Sequence, residues 1–157
     1  MMLIVIAWYD FCMKKDESIG VVPVFRDGSE YKFLLIHHEI GHWAFPKGHK
    51  IDDESIKETV RRELYEETGI KNIDIDFDKR FVEKYIFKKN GTEFDKTVTY
   101  FLGFVGSGEI EEASDPTGEI KEMRWATYDE AIKLLTFNEA RDLLREVNEY
   151  LTKRGVV

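Results

Sequence analysis

GHKIDDESIKETVRRELYEETGI, residues 48–70, puts carboxylates where a helix should turn apolar. Asp52 or Asp53 can cap a helix that runs to about Thr68 and is ended by Gly69. Within it Glu63, Glu66 and Glu67 are spaced i, i+3, i+4, so the three share one side. At ~100° per residue, Glu63 and Glu67 fall on the stripe of Ile56 and Val60. A stripe that faces the core at the helix start becomes acidic at its end. Like charges crowd there, in the last turns where the helix dipole favours cations, and partial burial adds a desolvation cost. A divalent cation removes all three penalties, and hard carboxylate oxygens suit Mg²⁺ or Mn²⁺. The competing reading is a solvated acidic face laced by Arg62–Glu66 and Arg62–Glu58 pairs.

On either side of this segment the chain alternates short strands and turns. Ile19 to Phe25 reads as a buried strand, Asp27-Gly28 as a turn, and Phe33 to Ile36 as the returning strand. A loop carrying Gly41, Pro46 and Gly48 leads into the acidic helix. Beyond it, Phe81 to Phe87 and Thr97 to Val105 are strands joined across Asn90-Gly91, a hairpin signal. Residues 106–118 read as a polar loop and Glu122 to Ala126 as a last short strand. Two helices close the chain, with capping boxes at Thr127/Glu130 and Thr136/Glu139. The order β-β-α-β-β-β-α-α predicts an α+β fold with a mixed sheet.

The 157 residues suit one domain, 1–157, with no internal repeat or linker. Hydrophobic and charged fractions of 43% and 34% are those of a globular chain, and no apolar run reaches the ~18 residues of a membrane span. Cys12 is the sole cysteine, which rules out an intrachain disulfide, fits a reducing compartment and leads to a cytoplasmic expectation. It lies outside the motifs and is given no role. Residues 1–12 are expected to be an N-terminal extension ahead of a natural start at Met13. The net charge of -8 repels polyanions, so a polyphosphate ligand would need a metal and a few placed cations.

The full pattern Gly48, Glu54, Arg62-Glu63-Leu64, Glu66-Glu67, Gly69-Ile70 resembles the Nudix box, G-x5-E-x7-R-E-U-x-E-E-x-G-U with U apolar, at every defined position. That resemblance implies a mixed sheet sandwiched between helices and metal-dependent hydrolysis of a phosphoanhydride bond. It implies Glu63, Glu66 and Glu67 as metal ligands, with the Gly48 carbonyl as a further one, and Arg62 as the group that orients them. Glu54 and Gly69 match structural positions. Glu119, six residues before Trp125, matches a glutamate that serves family members as ligand or general base, with Glu122 a nearby competitor. Glu66 or Glu119 would take the proton of the attacking water.

The run Trp43-Ala44-Phe45-Pro46-Lys47-Gly48-His49 is similar to the W-x-x-P-K-G-H run of asymmetric diadenosine tetraphosphate hydrolases, and Lys96-Thr97-Val98-Thr99-Tyr100 to their K-T-x-x-Y strand. Phe137 stands where an aromatic residue precedes their last helix. The implied substrate is a dinucleoside polyphosphate, diadenosine tetraphosphate cut to ATP and AMP. In physical terms Lys47 and Lys96 are candidate point charges for the polyphosphate, His42 a hydrogen-bond donor to it, and Tyr100 and Phe137 a candidate sandwich for the base. Each has a plainer alternative as solvated charge or core aromatic. Trp43 and Trp125 read as packing residues, and Lys88 and Lys89 as solvation of the hairpin tip. The rival readings are an RNA 5′ end as substrate, another nucleotide, or a catalytically silent nucleotide-binding module. The intact carboxylate set argues against the last. No protein partner is expected.

Overall fold

The computed structural model describes residues 13–106 and 117–154. The first twelve residues, on which the expected extension rests, and Cys12 with them, lie outside these.

The organising strand is β1 (Lys14–Asp27), whose Val21, Val22 and Val24 are buried on both faces of the sheet. One edge of β1 runs parallel to β6 (Thr92–Val105) from Lys14↔Phe94 to Phe25↔Val105. The other edge is shared. Its first half pairs with the two-residue strand β4 (Lys47–Gly48), and its last residues pair with β2 (Glu30–His38) across the Asp27–Glu30 turn. β2 also holds β3 (Trp43–Ala44) and β7 (Ile120–Thr127), both antiparallel. β5 (Asp74–Lys89) forms the hairpin with β6, broken by an irregularity between Asp76 and Arg80. Asn90 and Gly91 both take positive φ at its tip, the turn that the Asn-Gly pair announces. Among the described residues seven strands with one parallel pairing make the sheet mixed. Strands β3 and β4 occupy what the sequence reads as loop; two-residue strands leave no periodicity to detect.

Helix α1 (Ile56–Thr68) covers one face, burying Val60 and Leu64 against Val21, Leu34 and Phe101. Helices α2 (Tyr128–Leu134) and α3 (Asn138–Arg154) cover the other, where Leu143, Leu144 and Val147 pack with Val22, Phe33, Phe81 and Tyr100. The sheet is thus sandwiched between helices. Among the described residues no helix is long and apolar enough to cross a membrane.

The helix starts correct two expectations. Neither Asp52 nor Asp53 caps α1. Asp52 sits at φ 46 in a turn that Glu54 closes on Ile51, and the cap is Ser55, in a full capping box with Glu58. Ile56, the first helical residue, is exposed for the same reason, so the core stripe begins at Thr59-Val60. Thr127 and Glu130 do box the start of α2. Thr136 does not cap α3: its hydroxyl accepts from the Trp43 amide at 2.8 Å, stitching the helix approach to β3, while the Phe137 carbonyl takes the Arg141 amide. A long-range partner has displaced the local one.

Removing the true cap should lower stability. Ser55→Ala is expected to cost about 1 kcal/mol, a fall of about 2–4 °C in Tm for a domain this size. Asp53→Ala should stay within about 0.5 kcal/mol of the parent. Thermal unfolding of the two variants separates the assignments.

Candidate active site

Arg62 organises the acidic end of α1. Its Nε and Nη2 form a fork on Glu54 at 2.7 and 3.0 Å, Nη1 donates to Glu63 at 2.8 Å and to Glu66 at 3.1 Å, and Nη2 also reaches the His49 carbonyl at 2.8 Å. The hydrogen bonds from Arg62, helped by the Ile51 amide, hold the Glu54 carboxyl down to about 2. The same bonds, Glu54's above all, raise the Arg62 guanidinium above its usual value. Glu54 is therefore a structural brace, and the Arg62–Glu58 pair of the competing solvated-face reading is not formed, because Glu58 is committed to the Ser55 cap.

Glu63 is half-buried, and burial pushes its carboxyl up against the pull of Arg62. Glu67 shares a hydrogen bond with it. Two carboxyls in that relation hold one proton between them unless a cation takes its place. Gly48 abuts the pair: a Cβ built there would collide with the Glu63 carboxyl. Only glycine lets backbone approach these oxygens so closely, and the β1–β4 pairing at Ile19↔Gly48 fixes that approach. Glu66 lies toward Arg62. Among the described residues no three acidic, histidine or cysteine side chains already converge as a metal cluster. The i, i+3, i+4 spacing puts the three glutamates on one side, and Arg62 Nη1 bridges Glu66 to Glu63. Hard oxygens, a crowded carboxylate pair and a glycine cradle all fit a divalent cation.

These groups line a groove of about 550 Å³ together with Lys47, His42, Lys96, Arg62 and Glu119. Glu119 reaches it from the start of β7, with its carbonyl accepting from the Glu39 amide at 2.6 Å. Glu122 does not line the groove and is paired with Arg124 at 3.3 Å. An adjoining cavity of about 470 Å³ shares Ile40, His42, Lys47 and Lys96 with the groove; its other walls are mostly apolar and aromatic, Phe87, Tyr100 and Phe137 among them, with the carboxyls of Glu83 and Glu139.

The predicted binding residues meet different fates. Lys47 lies between groove and cavity and donates to the Tyr85 hydroxyl at 2.6 Å; burial lowers its ammonium, with Glu83, Glu67 and Asp16 pulling the other way. Lys96 is not an open point charge. It is buried, donating to Asp16 at 2.9 Å and Ser18 at 2.6 Å. Burial raises the Asp16 carboxyl, but the hydrogen bonds from Lys96 and His49 outweigh it and keep it low. Lys96 thus locks β1 to β6, and much of its charge is answered within the protein. His42 stacks on His38 at 4.4 Å and lies 5.6 Å from Phe137; burial first, then Lys47 and His37, lower its pKa, which favours the neutral imidazole.

Phe137 is 53% exposed at the cavity mouth, whereas Tyr100 is 1% exposed at its floor, edge-on to Phe45. A sandwich of Tyr100 and Phe137 is therefore not formed: Tyr100 has no open ring face, because its strand alternation turns it into the core. Trp43 packs, as expected, stacked on His37 at 4.5 Å. Sequence reading missed Asp16, Tyr85 and Glu83. The last two could have been found, since alternation from Phe81 to Phe87 puts Glu83 and Tyr85 on the apolar face of their strand.

A NUDIX domain profile matches residues 14–147, so the chain belongs to the Nudix family. It is 33% identical to the asymmetrical bis(5′-nucleosyl)-tetraphosphatase of Rattus norvegicus over 129 residues, 80% of this chain and 84% of that protein. The crystal structure of a C. elegans Ap4A hydrolase binary complex matches with a TM-score of 0.72 at 25% identity, over 87% of this chain and 98% of that one. An RNA pyrophosphohydrolase of Bartonella henselae is 24% identical over 85% of this chain and 88% of its own length. Nudix hydrolases generally need a divalent metal and act on small nucleotide substrates.

The different placements of the two aromatics have a measurable consequence. Tyr100→Ala should destabilise by about 3–5 kcal/mol, as buried aromatic deletions do, while Phe137→Ala should change stability by under about 1 kcal/mol. Denaturant unfolding of both variants checks this.

Proposed function

We propose that this chain hydrolyses dinucleoside polyphosphates asymmetrically, diadenosine tetraphosphate to ATP and AMP, as a single Nudix domain working in the cytoplasm. The observation that carries the reading is the pairing of an apolar cavity of base-and-ribose size with a carboxylate groove, with Lys47 and His42 lining both. Kinship with the asymmetrical tetraphosphatases supports it.

Glu63, Glu66, Glu67 and the Gly48 carbonyl would hold Mg²⁺ or Mn²⁺. The bound ion supplies charge neutralisation, polarisation of a phosphorus and acidification of water. Arg62 keeps the carboxylates aimed. Lys47 offers its ammonium to the polyphosphate where cavity meets groove, and neutral His42 donates a hydrogen bond to a phosphate oxygen. Phe137 covers the base at the mouth of the cavity. Glu66 or Glu119 accepts the proton of the water that attacks in line, and the leaving nucleoside polyphosphate departs without a covalent enzyme intermediate. Among the described residues the carboxylate groove has this cavity on one side, so an end-to-end symmetric substrate lies in an asymmetric site and is cut off-centre.

Chromatography of the products tests the reading. ATP and AMP should form in equal amounts, and in water labelled with heavy oxygen the label should enter AMP. Two ADP would overturn the asymmetric assignment. No cleavage of the dinucleotide beside rapid pyrophosphate release from triphosphorylated RNA would favour the RNA 5′ end. Glu63→Gln and Glu67→Gln should each lower kcat by roughly 10²-fold or more at saturating Mg²⁺, and Phe137→Ala should raise KM roughly tenfold through lost stacking. Variants keeping over about half the parent kcat would sink the ligand assignment.

A further inference from the structure

The groove chemistry leaves one buried ionisable group unused. Glu83 is 7% exposed, lies on β5 between Phe81 and Tyr85, and pairs in register with Val98. Its strand face is otherwise apolar or aromatic, and α3 packs over it. Its Oε2 is buried with no hydrogen-bond partner among the described residues. Burial raises the carboxyl, Lys47 opposes that, and Glu139 adds to it. A buried carboxyl oxygen that receives no hydrogen bond is costly, and such an atom calls for a ligand or a function to explain it.

The cavity that Glu83 lines narrows what that ligand presents. Its mouth is formed by exposed residues, Ile40, Ile86 and Phe137, and its floor by Glu83 and Tyr100. A flat aromatic ring fits between apolar walls and can rest on Phe137. Of the two cations shared with the groove, Lys96 is answered by Asp16, so the phosphate end lies at Lys47 and the ring edge points to the floor. A phosphate cannot be the partner of Glu83, since two anions repel. A carboxylate accepts hydrogen bonds only, and the donors a purine edge offers are its exocyclic amino group and, in guanine, the N1–H.

We propose that Glu83 is a specificity-determining residue that accepts a hydrogen bond from the exocyclic amino group of a purine bound in this cavity, favouring purines that carry such a group over those that lack it. This rests on the cavity being the nucleoside subsite of the preceding reading. Discrimination by a buried hydrogen-bonding group is large because the wrong ligand leaves the group unpaired.

Calorimetric titration of the full chain in EDTA, where no turnover occurs, tests it with ATP and purine riboside 5′-triphosphate, which differ only by the amino group. The parent should bind ATP about tenfold or more tightly. Glu83→Leu should bring the ratio near one, and Glu83→Gln, whose amide oxygen still accepts, should keep most of it. If the leucine variant does not fold, the parent ratio and the glutamine variant still decide. A parent ratio near one, a leucine variant that keeps the ratio, or no binding of either nucleotide overturns the proposal. So does discrimination that appears instead against 2′- or 3′-deoxyATP, which would place the ribose against Glu83. An intact base ratio in a protein that leaves diadenosine tetraphosphate uncut would sink the substrate assignment and leave the role of Glu83 standing.

Discussion

Arg62 donates at once to Glu54, Glu63, Glu66 and the His49 carbonyl, and the acidic end of α1 depends on that fork. Like charges at helical spacing, in turns where the dipole favours cations, repel one another and resist burial. A lysine in this place would offer a point charge without the planar geometry that binds a carboxylate through two nitrogens while reaching others. By tying Glu54 in the preceding turn to Glu63 and Glu66 in the helix, Arg62 joins the Gly48–Ser55 connection to α1. The Glu63 carboxyl then lies against the Gly48 backbone, where no side chain could fit.

That contact also explains the split edge of β1. Its first half pairs with β4, which delivers Lys47 and Gly48, and only its end pairs with β2. A full-length β1–β2 hairpin would leave no gap for the Pro46–Gly48 backbone. The parallel partner β6 covers the opposite edge along nearly its whole length, and the Lys96–Asp16–Ser18 cluster pins the open end of that pairing. Groove and cavity thus share a floor of strands while the two helical layers close the cores on either side.

Electrostatics in this protein are local. With a net charge of -8, the chain repels polyphosphate at long range. Of the two lysines with candidate roles, one is answered by Asp16 inside the protein and the other, Lys47, faces both groove and cavity beside the carboxylates. The proposed cation would supply most of the positive charge at the reacting end, and neutral His42 would add a donor without a charge of its own.

Short-range rules made much of this legible from sequence alone. The carboxylate spacing on α1, the Asn90-Gly91 hairpin, the Thr127 capping box, the left-handed stop at Gly69 and the α+β order all depend on residues within a few positions of one another, where periodicity and turn chemistry act. Tertiary structure decided what distant partners compete for. Trp43 takes the Thr136 hydroxyl that would have capped α3. Asp16 neutralises Lys96 from 80 residues away, and Arg62 ties Glu54 of the preceding turn to Glu63 and Glu66 of the helix. Tyr100 and Phe137 look alike as aromatics at motif positions, yet α3 and the sheet bury one and leave the other at the cavity mouth. Glu83 was the reverse case: its place on an apolar strand face was visible, but that its carboxyl lacks a partner beside a cavity became apparent only once α3 and β6 had closed around it.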